Sequence, residues 1–145
     1  MRISAKGEYA VKAMLDLAMH RGRPLVPIQE IAARQAIPQR YLEQVLLSLK
    51  RAGLLTSKRG STGGYHLTEA PDEITVGAIL RAVEGSAPFE GGLHGRRNGS
   101  GDHDLDELWG EIADAVGGVV DRWTLGDLMA RADERRRSAR PMYHI

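Results

Sequence analysis

Gln39, Arg40, Tyr41 and Glu43 crowd hydrogen-bonding heads into the first turn of a segment that opens with Pro38, and Lys50 follows near its far end. Leu42, Val45, Leu46 and Leu49 recur at i, i+3, i+4 and i+7, which predicts a helix with one apolar stripe and with Gln39, Arg40, Glu43 and Lys50 on the other face. Proline at the first helical position wastes no N–H. Arginine can bond guanine bidentately and glutamate can accept from cytosine N4, each worth about 1–3 kcal/mol of base discrimination. Glu43 has a second reading, since Arg40 lies three residues back and the two can pair on a solvated face.

A second group of candidates follows directly. Gly53 ends the helix, Leu54–Ser57 and Tyr65–Thr68 read as short strands, and Lys58, Arg59, Gly60, Ser61, Thr62, Gly63 and Gly64 form the turn between them. So glycine-rich a loop cannot pack a core. It does let backbone N–H groups and an arginine approach a phosphate or a narrow groove, as a β-wing does. A helix followed by a hairpin is equally compatible with plain scaffold, so the flanking segments must decide.

Upstream, Pro27 introduces a short helix, Ile28 to Gln35, with Ile31 and Ala32 facing inward, and Ala36-Ile37 connects it tightly to the Pro38 helix. This is helix-turn-helix spacing, in which the first helix braces across the backbone and the second offers its N-terminal residues to the major groove. Ser4 caps an earlier helix, about Ala5 to His20, that Ala10, Val11, Ala13, Met14, Leu15, Leu17 and Ala18 make apolar nearly all round. Such a helix needs cover on several sides, from the C-terminal half or a second subunit. Arg2 and Lys6 at its start join the candidate DNA-facing cations.

Charge supports that division of labour. Residues 1–67 hold eleven Lys and Arg against four Asp and Glu, a net of +7 inside a chain whose overall charge is only +1, so the rest carries −6. A nucleic-acid-binding half joined to a non-binding half has this asymmetry, although two halves docked on each other would have it too. No signal peptide or membrane-spanning run is evident, which places the protein in the cytoplasm with no membrane partner. The chain has no cysteine, which excludes disulfides, thiolate metal sites and a cysteine nucleophile. Motifs for a nucleophile elbow, a P-loop, a dinucleotide fold or a zinc hydrolase are also missing, so an enzyme is not expected.

Beyond the wing, Thr75 caps a helix of about Val76 to Val83, closed by Gly85, and Ser86–Asp104 reads as a flexible loop. Leu105, Leu108, Trp109, Ile112, Val116, Val119 and Trp123 then form an apolar stripe on a helix of about 18 residues, or roughly 27 Å. With Met14 and Leu17 it is the expected dimer interface. Gly117-Gly118 permit a bend or close contact, and Thr124 with Asp127 forms a capping box opening a last helix to about Arg136.

Taken in order, M-R-I-S-A-K-G-E-Y-A-V-K-A-M-L-D-L-A, I-P-Q-R-Y-L-E-Q-V-L-L-S-L-K-R-A-G-L-L, R-G-S-T-G-G-Y and T-V-G-A-I-L-R-A-V-E-G resemble the IscR/NsrR/CymR family of bacterial transcription regulators, the Rrf-two family, over about residues 1–90. The resemblance implies a mainly α fold with a small β-wing. Its winged helix-turn-helix domain would occupy 1–85, a loop 86–104, dimerisation and C-terminal helices 105–137, and a tail 138–145. It also implies a homodimer, mostly a repressor, on pseudo-palindromic double-stranded DNA. Many relatives hold an iron–sulfur cluster on three cysteines in the loop. Without thiolates no cluster is expected here, and no cofactor. His94 and His103, with Glu90, Asp102 and Asp104, supply two imidazoles and carboxylates of the kind that bind zinc or nickel, but their spacing matches no compact site and the other reading is solvated loop residues; no metal is assigned. Glu8, near a position where some relatives place a carboxylate toward the partner's cluster, reads as a surface residue. The signal would then be a small molecule, with Phe89 and Trp109 as candidate contacts, or a partner protein; a remnant loop that senses nothing is the alternative. A winged helix that binds protein and not specific DNA is the competing function.

Overall fold

Helix α1 starts because Ser4 is extended and its hydroxyl accepts the Gly7 N–H at 3.1 Å. Glu84 in turn accepts the Ser4 N–H at 3.1 Å and bonds the Ser4 hydroxyl, so the start of α1 is tied to the end of a helix eighty residues away. The computed structural model describes residues 3–85 and 103–139. Its elements run α1 (Ala5–Met19), α2 (Ile28–Gln35), α3 (Gln39–Arg51), β1 (Leu55–Lys58), β2 (Gly64–Leu67), a 3₁₀ turn (Pro71–Glu73), α4 (Val76–Glu84), α5 (Asp106–Arg122) and α6 (Leu125–Ala139).

The mainly helical fold with a two-stranded antiparallel sheet is the expected architecture. The α2–α3 turn closes in three residues because Ala36 takes a left-handed conformation, φ 53°, which costs a residue with a β-carbon about 1–2 kcal/mol. Ile37, 3% exposed and with its N–H on the Ala32 carbonyl, offsets that cost by burial. Pro38 sits at the cap of α3, one residue before the position anticipated, and the reason proline suits the spot is unchanged. Gly53, φ 81°, ends α3 by returning its N–H to Lys50.

The strands pair Leu55 with Leu67 through Lys58 with Gly64. The first begins one residue later than expected because the Leu54 N–H closes α3 on the Leu49 carbonyl. A third contributor was not anticipated. Val26 exchanges two backbone hydrogen bonds with Tyr65, at 3.0 and 2.9 Å, and so hangs the wing on the segment that leads into α2.

Helix α1 runs through the core, with Ala10, Ala13, Met14, Leu17 and Ala18 buried against Ile31, Leu42, Val45, Leu46, Leu49, Ile79 and Leu125. Its all-round apolar character is met by α2, α3, α4, β2 and α6 of the same chain. Met14 and Leu17, expected at a subunit interface, are therefore core residues, 0% and 2% exposed, with no surface left to offer a partner. Leu125, Leu128 and Met129 of α6 join the same cluster. A bridge between Thr75 and Thr124 holds the starts of α4 and α6 side by side, and Thr124 and Asp127 form the capping box reciprocally, at 2.9 and 3.1 Å.

Helix α5 leans on α4 through Leu80 and Val120 and through a bidentate Arg81–Asp121 pair at 2.7 and 2.8 Å. That pair is exposed and worth up to about 1 kcal/mol. The other face of α5 is bare: Leu105, Leu108 and Val119 are 48%, 47% and 45% exposed, and Trp109, Ile112, Val116 and Trp123 are half-buried.

Among the described residues Asp16 is the one charged side chain buried in the core. Arg34 grips both of its oxygens at 2.9 and 2.8 Å and the Gln35 amide donates at 3.0 Å, clamping α2 to α1. Burial pushes the Asp16 carboxyl up, but the Arg34 and Gln35 hydrogen bonds and the Arg34 and His20 charges together more than offset it and hold it below 3.8. Arg34→Ala should destabilise the fold by about 3 kcal/mol, because a buried carboxylate loses its countercharge, measured by urea unfolding. Since the folded value lies below the unfolded one, the contribution of Asp16 is present above the unfolded value and is lost as pH falls through the folded one. The gap between the wild type and Arg34→Ala should therefore close on acidification.

Candidate nucleic-acid interface

Helix α3 buries Leu42, Val45, Leu46 and Leu49 and turns Gln39, Arg40, Tyr41 and Glu43 to solvent at its start. Tyr41, 38% exposed, is held by an edge-on contact with Tyr9 of α1, ring centroids 5.3 Å apart and planes 81° apart. An aromatic pair of this kind contributes about 0.5–1.5 kcal/mol and fixes the direction in which the tyrosine hydroxyl points. The sequence pattern placed Tyr41 among the reading residues, but it gave no sign of Tyr9.

Facing α3 stands the wing. Lys58, Arg59, Gly60, Ser61 and Thr62 are exposed, and Gly60, φ 116°, takes a backbone conformation that side chains disfavour. Between helix and wing lies an open groove of about 410 Å³ walled by Glu43, Leu47 and Lys50 on one side and by Lys58, Arg59, Gly63, Gly64 and Tyr65 on the other. The start of α2, with Gln29, closes one end. Gln29 escaped the sequence reading because its role depends on how α2 crosses α3, which no local pattern encodes.

Arg40, Lys50, Lys58 and Arg59 are in no ion pair among the described residues, whereas Arg23, Arg34 and Arg81 each hold a carboxylate at 2.7–2.8 Å. Glu43 is not paired with Arg40. Its charge is felt across the groove at Tyr65, where burial first and Glu43 second push the phenol up. The groove therefore offers a polyanion three basic side chains, Lys50, Lys58 and Arg59, with Arg40 exposed at the start of the same helix, and one carboxylate able to accept from a base edge.

Other candidates are less united. Lys6 is half-buried on α1, Glu8 is exposed, and Arg2, Phe89 and His94 lie outside the described residues. Trp109 lines neither this groove nor the cleft behind the wing. The His103 Nδ1 lies 2.6 Å from Asp106, and among the described residues no three of His, Asp and Glu gather as a metal site.

A helix-turn-helix whose second helix faces a glycine-rich wing, with unpaired cations on both, is the scaffold of a DNA-binding transcription regulator. Residues 3–131 match the family model described as "Rrf2: Iron-dependent Transcriptional regulator", and the chain belongs to the Rrf2 family. The HTH-type transcriptional regulator IscR of Aliivibrio salmonicida is 40% identical over 131 residues, covering 89% of this chain and 77% of that one. The solved structure of T. potens IscR superposes with a TM-score of 0.76 at 37% identity, covering 93% of this chain and 90% of the other. CymR, "the Global Cysteine Regulator of B. subtilis", gives the same TM-score and identity over 90% of this chain and 98% of its own. The chain is a transcription regulator and not an enzyme.

The description of the family as iron-dependent was tested against the donors present. Iron–sulfur clusters are held chiefly by thiolates, and this chain has none, so its residues do not fit the group.

The wing depends on close backbone approach. A β-carbon on Gly64 would stand 2.5 Å from the Val26 carbonyl oxygen, so one strand would have to move. Gly64→Ala should weaken DNA binding by about tenfold, or ~1.4 kcal/mol, while leaving the helical circular-dichroism signal intact, as read by fluorescence anisotropy on labelled duplex.

Proposed function

We propose that this protein is a cytoplasmic, homodimeric repressor that binds an inverted-repeat operator and responds to a signal other than an iron–sulfur cluster. One observation carries the DNA-binding part: the groove between α3 and the wing is bordered by Lys50, Lys58 and Arg59, which are in no ion pair among the described residues, and Arg40 stands equally unpaired at the exposed start of α3. Arg40 and Glu43 read base edges from α3, with Gln39 and Tyr41 beside them, while Lys58, Arg59 and the backbone of 60–64 hold phosphate or enter the minor groove.

The dimer is supported by the bare face of α5. Leu105, Leu108 and Val119 are each close to half exposed along one side of a 17-residue helix, with Trp109, Ile112 and Val116 adjoining. An apolar stripe of that length on a small protein is covered by a second copy, and two-fold symmetry lets the same stripe serve both chains. The two α3 helices then lie about 34 Å apart, in successive major grooves on one face of the duplex. No described helix is long and apolar enough to cross a membrane.

Three outcomes test the reading. Arg59→Ala should weaken binding to every sequence and reduce the slope of log K against log salt by about 1, because the residue contributes charge. Arg40→Ala should instead relax preference at one half-site position by about 1–3 kcal/mol, seen as a flattened column in a selection from randomised duplexes. Identical losses on operator and random DNA for both variants would count against these roles. The purified protein should be colourless, and ferrous iron, sulfide or nitric oxide should leave its operator affinity unchanged.

A further inference from the structure

Adjoining the DNA-facing groove is a second cleft, of about 450 Å³, between the end of α1, the α1–α2 turn and the far side of β2. Pro24, Leu67, Ala70 and Pro71 give it an apolar lining over the buried Leu17 and Val26, and His20, Arg21 and Glu69 stand at its rim. Its size falls within the roughly 300–1,000 Å³ typical of small-molecule sites, and apolar walls with a few polar groups are the usual composition.

Arg21 sets it apart. Of the arginines on this cleft, Arg23 is neutralised by Glu30 at 2.8 Å. Among the described residues Arg21 has only neutral acceptors, the Ala18 carbonyl at 3.1 Å and the Met129 sulfur at 3.7 Å. These contacts fix the guanidinium on the last turn of α1 without consuming its charge, so a cation with donors to spare is held at the mouth of an apolar cleft. Glu69 on the opposite rim disfavours a ligand with several negative charges. What fits is one carboxylate on an apolar body.

The cleft also shares a wall with the DNA-facing groove. Tyr65 lines both, and the Val26–Tyr65 bridge that suspends the wing forms part of this one. A body wedged against Leu67 acts on the strand that carries the wing. We propose that this cleft binds an apolar monocarboxylate, its carboxylate on Arg21 and its body on Pro24, Leu67, Ala70 and Pro71, and that occupancy changes operator affinity through β2. The proposal rests on the reading above that the signal is not a cluster, and it makes that signal a small molecule. Coupling requires only that the ligand prefer one position of β2 over another.

The test titrates the full chain calorimetrically, without DNA, with 1-naphthoate and with its neutral counterpart 1-naphthamide. Naphthoate should bind about tenfold more tightly, as expected when one charged hydrogen-bonded contact is gained. Arg21→Gln should abolish that preference, and Arg21→Lys should retain it. Saturating naphthoate should then change the operator affinity of the wild type by at least about fivefold and leave that of Arg21→Gln unmoved. Equal binding of acid and amide, or a preference that survives Arg21→Gln, overturns the site. Charge-selective binding with no effect on operator affinity overturns the coupling. Because the titration contains no DNA, charge-selective binding supports the cleft even in a chain that binds no operator, an outcome that overturns the DNA-binding reading alone.

Discussion

A buried carboxylate governs the geometry on which DNA reading depends. Asp16 is 2% exposed, and its charge is tolerable only while Arg34 and Gln35 are in place, so the end of α2 cannot leave α1 without stranding an ion in the core. Because α2 passes into α3 through a three-residue turn fixed by the left-handed Ala36, the direction of α3 follows from that clamp. Hydrophobic burial of Leu42, Val45, Leu46 and Leu49 supplies most of the attraction but little direction, since apolar surfaces slide at small cost. The hydrogen-bonded ion pair adds angular definition. Tyr9 against Tyr41 repeats the arrangement nearer the reading residues.

The wing is held by backbone bonds as well as by burial. Two strands of four residues make too small a sheet to hold a direction; the Val26 bridge, and Leu55 buried in the shared core, tie them to the helix-turn-helix unit. This division suits the two kinds of DNA contact. Base reading needs side chains placed to within a fraction of an ångström, which a clamped helix provides, whereas a phosphate-seeking arginine needs only proximity and freedom to adapt.

Much of this was legible in the sequence because it is local. The periodicity of Leu42 to Leu49, the caps at Ser4 and Thr75, the box of Thr124 and Asp127, and the glycines of the turn each encode their structure within a few residues. What escaped was relational. Val26 reads as one apolar residue between Leu25 and Pro27, and nothing beside it announces a strand partner almost forty residues on. Met14 and Leu17 looked available to a second subunit because the sequence showed an apolar helix without showing that α4 and α6 cover it. Asp16 was passed over in the same stripe, since its partner lies on another helix.

The bridge between Thr75 and Thr124 brings together two points of the chain that α4, the segment from Ser86 and α5 separate in sequence. Each end of the segment from Ser86 has its own anchor: Glu84 on Ser4 before it, and Arg81 on Asp121 after α5 has returned. Closure entropy between two anchored points depends weakly on the length of chain between them, about 0.6 kcal/mol for each doubling. Changes of sequence or length between these anchors therefore leave the anchors' own contacts in place, so the DNA-facing half can be inherited while the residues between Glu84 and α5 vary.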